Sequence, residues 1–231
     1  MQLKDDILSD PYLGKWSQVL IDKGYTVFVI NTRTAPQYHF VDITADCQRA
    51  VRFVRFNAKK YGIDANRIGA FGHSSGAILS SMLGVSDTSI VHAENGIDSC
   101  SSKIQAVCTL AAAFNLADYN TKADTAIQNS VVLKILSNYV GELPALSKGE
   151  FILSGKYAQA SPITHITNDD APFLIYYSNN DPYTPTRQAT DMQKKLVENN
   201  VPVKIVLSPN SRHRPIPDMD EVDRWFKKYL K

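Results

Sequence analysis

Residues 70–77 read AFGHSSGA. A short apolar run precedes this stretch and a helical-looking one follows it, so the chain turns here from strand to helix. Gly72-His73-Ser74-Ser75-Gly76 fits the pattern G-x-S-x-G. Small residues on both flanks permit a sharp turn that projects the central hydroxyl beyond the sheet edge. The turn also puts the next backbone N–H, that of Ser75, at a helix N-terminus, where it can hold a developing oxyanion. Ser75 cannot be the centre, since His73 and Ala77 would then take the glycine positions. Short Gly/Ser patterns also arise by chance, and a serine that merely eases a bend is the plain alternative for Ser74. The surrounding elements decide between them.

Upstream, GYTVFVINTR (24–33) is β-branched, aromatic and nearly continuously apolar, which predicts a strand buried on both faces. DITADCQRAVRFVRFNAKKYG (42–62) sets Ala50, Val51, Val54 and Ala58 on one stripe; Asp42 or Thr44 could open this helix and Gly62 close it. NRIGAFGHS (66–74) is the strand that enters the turn, and SGAILSSMLG (75–84) the helix that leaves it, with Gly84 as its expected stop. Three further strands are expected within 103–114, 172–179 and 202–209, and amphipathic helices over 186–200 and 218–231. The last helix carries acids in its first turn and lysines in its last, as the helix dipole favours. This alternation implies βαβ units: a mainly parallel, doubly wound α/β sheet. The segment 115–162 breaks the rhythm, and NSVVLKILSNYVGEL (129–143) reads as a helix in a cap-like insertion between the third and fourth strands. With no repeat and no linker in sight, residues 1–231 are expected to form one domain.

Composition narrows the function classes. Of 231 residues, 44% are apolar and 21% charged, as in a soluble globular protein. A net charge of +2 without a single-sign run offers no footprint for nucleic acid or an anionic membrane. Cys47, Cys100 and Cys108 are odd in number and lack C-x-x-C spacing, against both a disulfide framework and a structural zinc site. No run approaches the about 18–20 apolar residues of a membrane span. The opening MQLKDDILSDPYLGKW has no basic stretch followed by an apolar one, so the chain as written reads as cytoplasmic.

A serine hydroxyl becomes a competent nucleophile when a base takes its proton and a carboxylate orients that base. In a doubly wound sheet such groups belong on loops past the C-terminal ends of later strands. NNDPYTP (179–185) places Asp181 just beyond one strand, and NSRHRPIP (210–217) places His213 beyond the next. The order Ser74, Asp181, His213 is the one a nucleophile elbow requires. Asp181 could instead only cap a turn, and His213, between Arg212 and Arg214, could be a surface basic residue. His39, His92 and His165 lie off the post-strand positions. Asp169 and Asp170 precede their strand, which puts them at the wrong sheet edge. Phe114, Tyr119, Tyr139 and Tyr183 could line an acyl or aryl pocket or simply be core.

These residues carry a resemblance. The chain is similar to the α/β-hydrolase superfamily, in particular its esterase/lipase branch: small carboxylesterases related to acetyl-xylan and feruloyl esterases, arylformamidases, and prolyl-oligopeptidase-like domains. NTRTAPQYHF (31–40) resembles that branch's NYRLAPEYPF, and YGIDANRIGAFGHSSGA (61–77) its helix–strand–elbow segment. ASPITHI (160–166) with DDAPFLIYYSNNDPYTP (169–185) resembles the approach to the acid, and VPVKIVLSPNSRH (201–213) the approach to the histidine. The resemblance implies a serine hydrolase of carboxylic esters with Ser74 as nucleophile, His213 as base, Asp181 as its orienting acid and the Ser75 N–H in the oxyanion hole. It implies no cofactor or metal, and a small-molecule ester as substrate. Peptidase or arylformamidase chemistry would use the same three residues.

One family part has no match. An H-G-G-G-like loop supplies further oxyanion donors in these esterases, yet no Gly-Gly pair occurs in the 231 residues. Losing such a donor typically costs about 10²–10³ in turnover. The strand leading into that loop would lie between 25–31 and the elbow strand. The expectation is therefore an N-terminally shortened sheet. Either 25–31 pairs directly with 67–72, or something else fills the place, or the native protein is longer than this sequence. The last is favoured here, and a signal peptide would then make secretion possible. The competing reading is a hydrolase fold that has lost catalysis. Acyl and alcohol preference and oligomeric state are not legible.

Overall fold

The computed structural model describes residues 11–86, 96–119, 130–147, 150–152 and 154–231. Expectations for 1–10, for His92 and for part of the insertion (120–129, 148–149 and 153) fall outside them. In chain order the described elements are α1 (Pro11–Asp22), α2 (Phe40–Phe56), α3 (Ala58–Tyr61), β1 (Gly69–His73), α4 (Ser75–Val85), β2 (Ala106–Leu110), α5 (Ser130–Val140), β3 (Ala145–Ser147), β4 (Glu150–Ile152), α6 (Gly155–Gln159), β5 (Phe173–Ser178), α7 (Arg187–Glu198), β6 (Val203–Ser208) and α8 (Met219–Tyr229).

Four strands form a parallel sheet in the order β1-β2-β5-β6, while β3 and β4 pair as a separate antiparallel hairpin. The ladder runs from Gly69↔Ala106 to His73↔Leu110, from Val107↔Phe173 to Leu110↔Tyr176, and from Phe173↔Val203 to Ser178↔Ser208. All four strands therefore end at one edge. Side chains alternate between two cores. Val107, Phe173, Ile175 and Tyr177 point to a face shared with Cys47, Val51, Ala77, Met192 and Leu196 of α2, α4 and α7. Ala106, Cys108, Leu110, Leu174 and Tyr176 point to the other, against Leu20 of α1 and Val222, Trp225 and Phe226 of α8. Each fully buried aromatic or Leu side chain contributes about 1.5–3 kcal/mol relative to exposure, so helices on both faces are the economical solution for strands this apolar.

Three boundaries differ from the sequence expectation. The segment 24–33 is not a strand; residues 25–34 join no ladder. Its burial alternates nonetheless: Tyr25, Val27 and Val29 are half-buried while Thr26, Phe28 and Ile30 are exposed. A strand is defined by pairing, and β1 stands at the sheet's edge without this segment beside it. The helix expected at 42–62 begins at Phe40 after His39, breaks at Asn57, and resumes as α3 before Gly62 closes it in the left-handed conformation. Gly84 is no stop, since α4 runs through it to Val85. A Cβ there would stand 2.5 Å from Val107 Cγ2 and 2.9 Å from Phe173 Cζ, so this glycine lets α4 press onto the sheet.

The insertion packs over α4. Leu116, Tyr119, Val132, Leu136, Val140 and Tyr157 cluster with Ile78. Among the described residues, no helix is long and apolar enough to cross a membrane.

Candidate active site

β1 ends at His73 and α4 begins at Ser75, leaving Ser74 alone at the turn. Its backbone has φ 54° and ψ −118°, a sparsely populated region for a residue with a Cβ, costing about 1–3 kcal/mol. Bonds on both sides hold it there. The Ser74 N–H donates to the Leu110 carbonyl at 2.9 Å, adding one rung to the β1–β2 ladder, and the Ser74 carbonyl accepts from Ala77 and Ile78 as α4 starts. As first residue of α4, Ser75 has an N–H without an intrahelical acceptor, at the positive end of the helix dipole.

The two glycines of the pattern are unequal. A Cβ on Gly72 would lie 2.2 Å from the Gly76 carbonyl oxygen and 2.5 Å from Ser80 Oγ, so only glycine lets α4 fold back over the strand. A Cβ on Gly76 would meet nothing within 4 Å. The sequence expectation of small residues on both flanks thus holds sterically for the first alone.

Asp181 and His213 reach the same edge from the loops after β5 and β6. Ser74 Oγ lies 2.7 Å from His213 Nε2, and His213 Nδ1 lies 2.8 Å from Asp181 Oδ2. A carboxylate only accepts, so Nδ1 carries the proton and Nε2 presents its lone pair to the Ser74 hydroxyl. Asp181 is also the cap of its own turn. Its Oδ1 accepts from the N–H groups of Tyr183 and Thr184, and its Oδ2 from Thr184 Oγ1 at 2.6 Å. The carboxylate that caps the turn is the same one that reaches His213 Nδ1. Burial alone would raise the Asp181 pKa, but the hydrogen bonds from His213 and Thr184 outweigh it and hold the carboxyl below its ordinary value.

The loop carrying His213 is irregular, with positive φ at Asn210 and Arg212. Asn180 Oδ1 accepts the Arg212 N–H at 3.0 Å, and His73 Nε2 lies 2.7 Å from the His213 carbonyl oxygen. The Tyr183 ring meets the His213 imidazole edge-on, with centroids 5.0 Å apart. Neither His73 nor Asn180 stood out in the sequence, where each reads as a linker between motif residues. Thr184, three residues after Asp181, was detectable as an Asx-turn partner.

The remaining candidates lie elsewhere. His39 Nδ1 bonds the Asn138 carbonyl, and His165 donates to the Gln159 carbonyl. Asp169 pairs with Lys103, ahead of β2 and β5 and so at the opposite edge. Phe114 and Tyr119 are buried and Tyr139 packs on Phe40, leaving Tyr183 as the aromatic beside His213. Cys47 and Cys108 are buried free thiols, both pushed up in pKa by burial. Among the described residues, no three His, Cys, Asp or Glu side chains converge as a metal site.

With this geometry in place, residues 4–196 match the BD-FAE family model. The chain belongs to the BD-FAE family. This BD-FAE chain is 26% identical over 195 residues to a probable carboxylic ester hydrolase, LipM, of Mycobacterium tuberculosis, covering 84% of the chain and 43% of that protein. It is 22% identical to the esterase LipC of the same organism, over 77% of the chain and 41% of that protein. It thus spans less than half the length of these curated relatives. The fold matches an acetyl ester-xyloside bifunctional hydrolase from Caldicellulosiruptor lactoaceticus with TM-score 0.71 at 23% identity, over 91% of this chain and 71% of that one. A truncated carbohydrate esterase from gut microbiota superposes with TM-score 0.74 at 21% identity, over 92% and 76%. The α/β-hydrolase architecture of this BD-FAE member is thereby shared with solved esterases.

Proposed function

We propose that this chain is a serine hydrolase acting on carboxylic esters through an acyl-enzyme. The observation that carries the reading is the unbroken chain of hydrogen bonds from Ser74 Oγ to His213 Nε2 and from His213 Nδ1 to Asp181 Oδ2. Ser74 attacks the ester carbonyl while its proton passes to His213 Nε2. The carbonyl oxygen becomes an oxyanion held by the Ser75 N–H at the start of α4. Collapse of the tetrahedral adduct breaks the C–O bond to the alcohol, which leaves with the proton from His213. Water then gives its proton to His213 and attacks the acyl carbon. Collapse of this second adduct breaks the bond from the acyl carbon to Ser74 Oγ, which takes the proton back from His213 as the acid leaves. None of these steps calls on a metal or organic cofactor. We read residues 1–231 as one hydrolase unit whose insertion, 115–162, caps the elbow helix; its packing on Ile78 supports this.

The test is hydrolysis of short-chain p-nitrophenyl esters together with fluorophosphonate labelling. The wild-type chain turns over the esters and is labelled at Ser74, and Ser74→Ala loses both. A chain that unfolds cooperatively yet neither hydrolyses nor labels refutes the proposal in favour of a hydrolase fold without catalysis. Parallel assays with aminoacyl amides and formanilides separate esterase from peptidase and arylformamidase.

A further inference from the structure

We propose that His73 is a positioning residue, whose ring N–H fixes the main chain of His213 and so keeps the His213 imidazole in line with Ser74. The inference rests on the hydrolase reading above. A carbonyl oxygen can only accept, so at 2.7 Å from the His213 carbonyl the His73 Nε2 is the donor. His213 then has three ties. Two belong to its ring, to Asp181 and to Ser74, and one belongs to its backbone, to His73.

The ring ties cannot set the imidazole's position alone. Both change strength as the imidazole gains and loses a proton, and the loop beneath it lacks a regular backbone ladder. The neighbouring residue Arg212 holds φ 48° and leans on Asn180. The backbone tie from His73 does not depend on the protonation of His213. It also starts from the residue directly before the nucleophile. His73 is the last residue of β1, paired with Leu110, and Ser74 follows at the elbow. Any shift of β1 or the elbow therefore carries nucleophile and anchor together, and the Ser74–His213 separation is preserved.

The surroundings of His73 fit this use. Its ring lies edge-on to Trp16, with centroids 6.1 Å apart, and 5.4 Å from the ring of His213. Burial lowers its pKa, more than the bond to the His213 carbonyl raises it. The neutral ring has a single N–H, and the carbonyl of His213 takes it.

The experiment compares His73→Phe, which keeps a ring beside Trp16 but has no donor, with His73→Gln, whose amide N–H₂ restores one at similar reach. Expected for His73→Phe is a kcat lower by about 10–100-fold with KM within about twofold, because misplacement by about 1 Å costs on the order of 10²-fold. His73→Gln recovers kcat to within about threefold of wild type, on the same geometric ground. A second readout needs no turnover: the low-field proton resonance of the His213 Nδ1–H bound to Asp181, assigned by its loss in Asp181→Asn. It is expected in wild type and His73→Gln, and broadened or lost in His73→Phe. The proposal is overturned if His73→Phe keeps wild-type kcat, if the Phe and Gln variants fall alike, if the resonance stays sharp in His73→Phe, or if wild type lacks it. A wild-type chain that shows the resonance but no hydrolysis refutes the esterase reading, while its loss in His73→Phe would still support the positioning role.

Discussion

Replacing each glycine of the elbow by alanine adds the same methyl group at two positions four residues apart, and the outcomes are expected to be opposite. At Gly72 the new Cβ would sit 2.2 Å from a backbone oxygen, against the 3.0 Å below which real Cβ atoms are essentially never found. The start of α4 must therefore retreat from β1 by about 0.8 Å. Overpacking of this kind costs about 1–3 kcal/mol, which for a chain of this size lowers Tm by several degrees, at about 2–4 °C per kcal/mol. The same retreat moves Ser74, which sits between the two elements, and a displacement near 1 Å costs on the order of 10² in rate. At Gly76 the methyl enters open space in the first turn of α4. Alanine there removes the helix penalty of glycine, about 0.5–1 kcal/mol, so Tm is expected to rise by about 1–4 °C. Differential scanning calorimetry and p-nitrophenyl acetate turnover on the two purified variants decide the matter. A Gly72→Ala chain with wild-type turnover, or equal Tm shifts in the two variants, would refute the steric account of the elbow.

Two further outcomes follow from the same site. Both Ser74→Gly and Ser74→Ala lose the hydroxyl, but only glycine adopts φ 54° without strain; urea denaturation should find Ser74→Gly the more stable of the pair by about 1 kcal/mol, and the reverse order would deny that the elbow is strained. Asp181 is held below its ordinary pKa, so its contribution to stability is complete above the unfolded carboxyl value of about 3.9 and drains away as pH falls through the lower folded value. The Tm difference between wild type and Asp181→Asn should accordingly shrink as pH falls below about 4; a gap that widens there would contradict the direction of the shift.

Much of this was legible in the chain. The strands at 69–73, 106–110, 173–178 and 203–208 lie within the runs that their β-branched and aromatic residues marked out. Ser74, Asp181 and His213 could be placed at one sheet edge because parallel strands put every post-strand loop there. The segment 24–33 misled because composition reports what a backbone prefers, whereas a strand needs a neighbour; Tyr25 to Ile30 keep the period-two burial of a strand without its ladder. Gly84 looked like a stop because helix ends favour glycine, but here Val107 and Phe173 demand the missing Cβ. The inequality of Gly72 and Gly76 and the bond from His73 to the His213 carbonyl depend on distances between segments far apart in sequence. No local pattern encodes those.

The turn that Asp181 caps also governs where a proton can rest. Four donors reach this carboxylate: two backbone N–H groups, the Thr184 hydroxyl and the His213 ring. A carboxylate has about four lone-pair sites, so each is already taken. A proton arriving on Asp181 would have to evict one of these donors, and three of them belong to the turn itself. Under the hydrolase mechanism proposed above, the imidazole is thus the end of the line: what it takes from Ser74 it keeps until the alcohol leaves. In that proposed scheme Asp181 is a fixed counter-charge, and the traffic of protons stops one residue short of it.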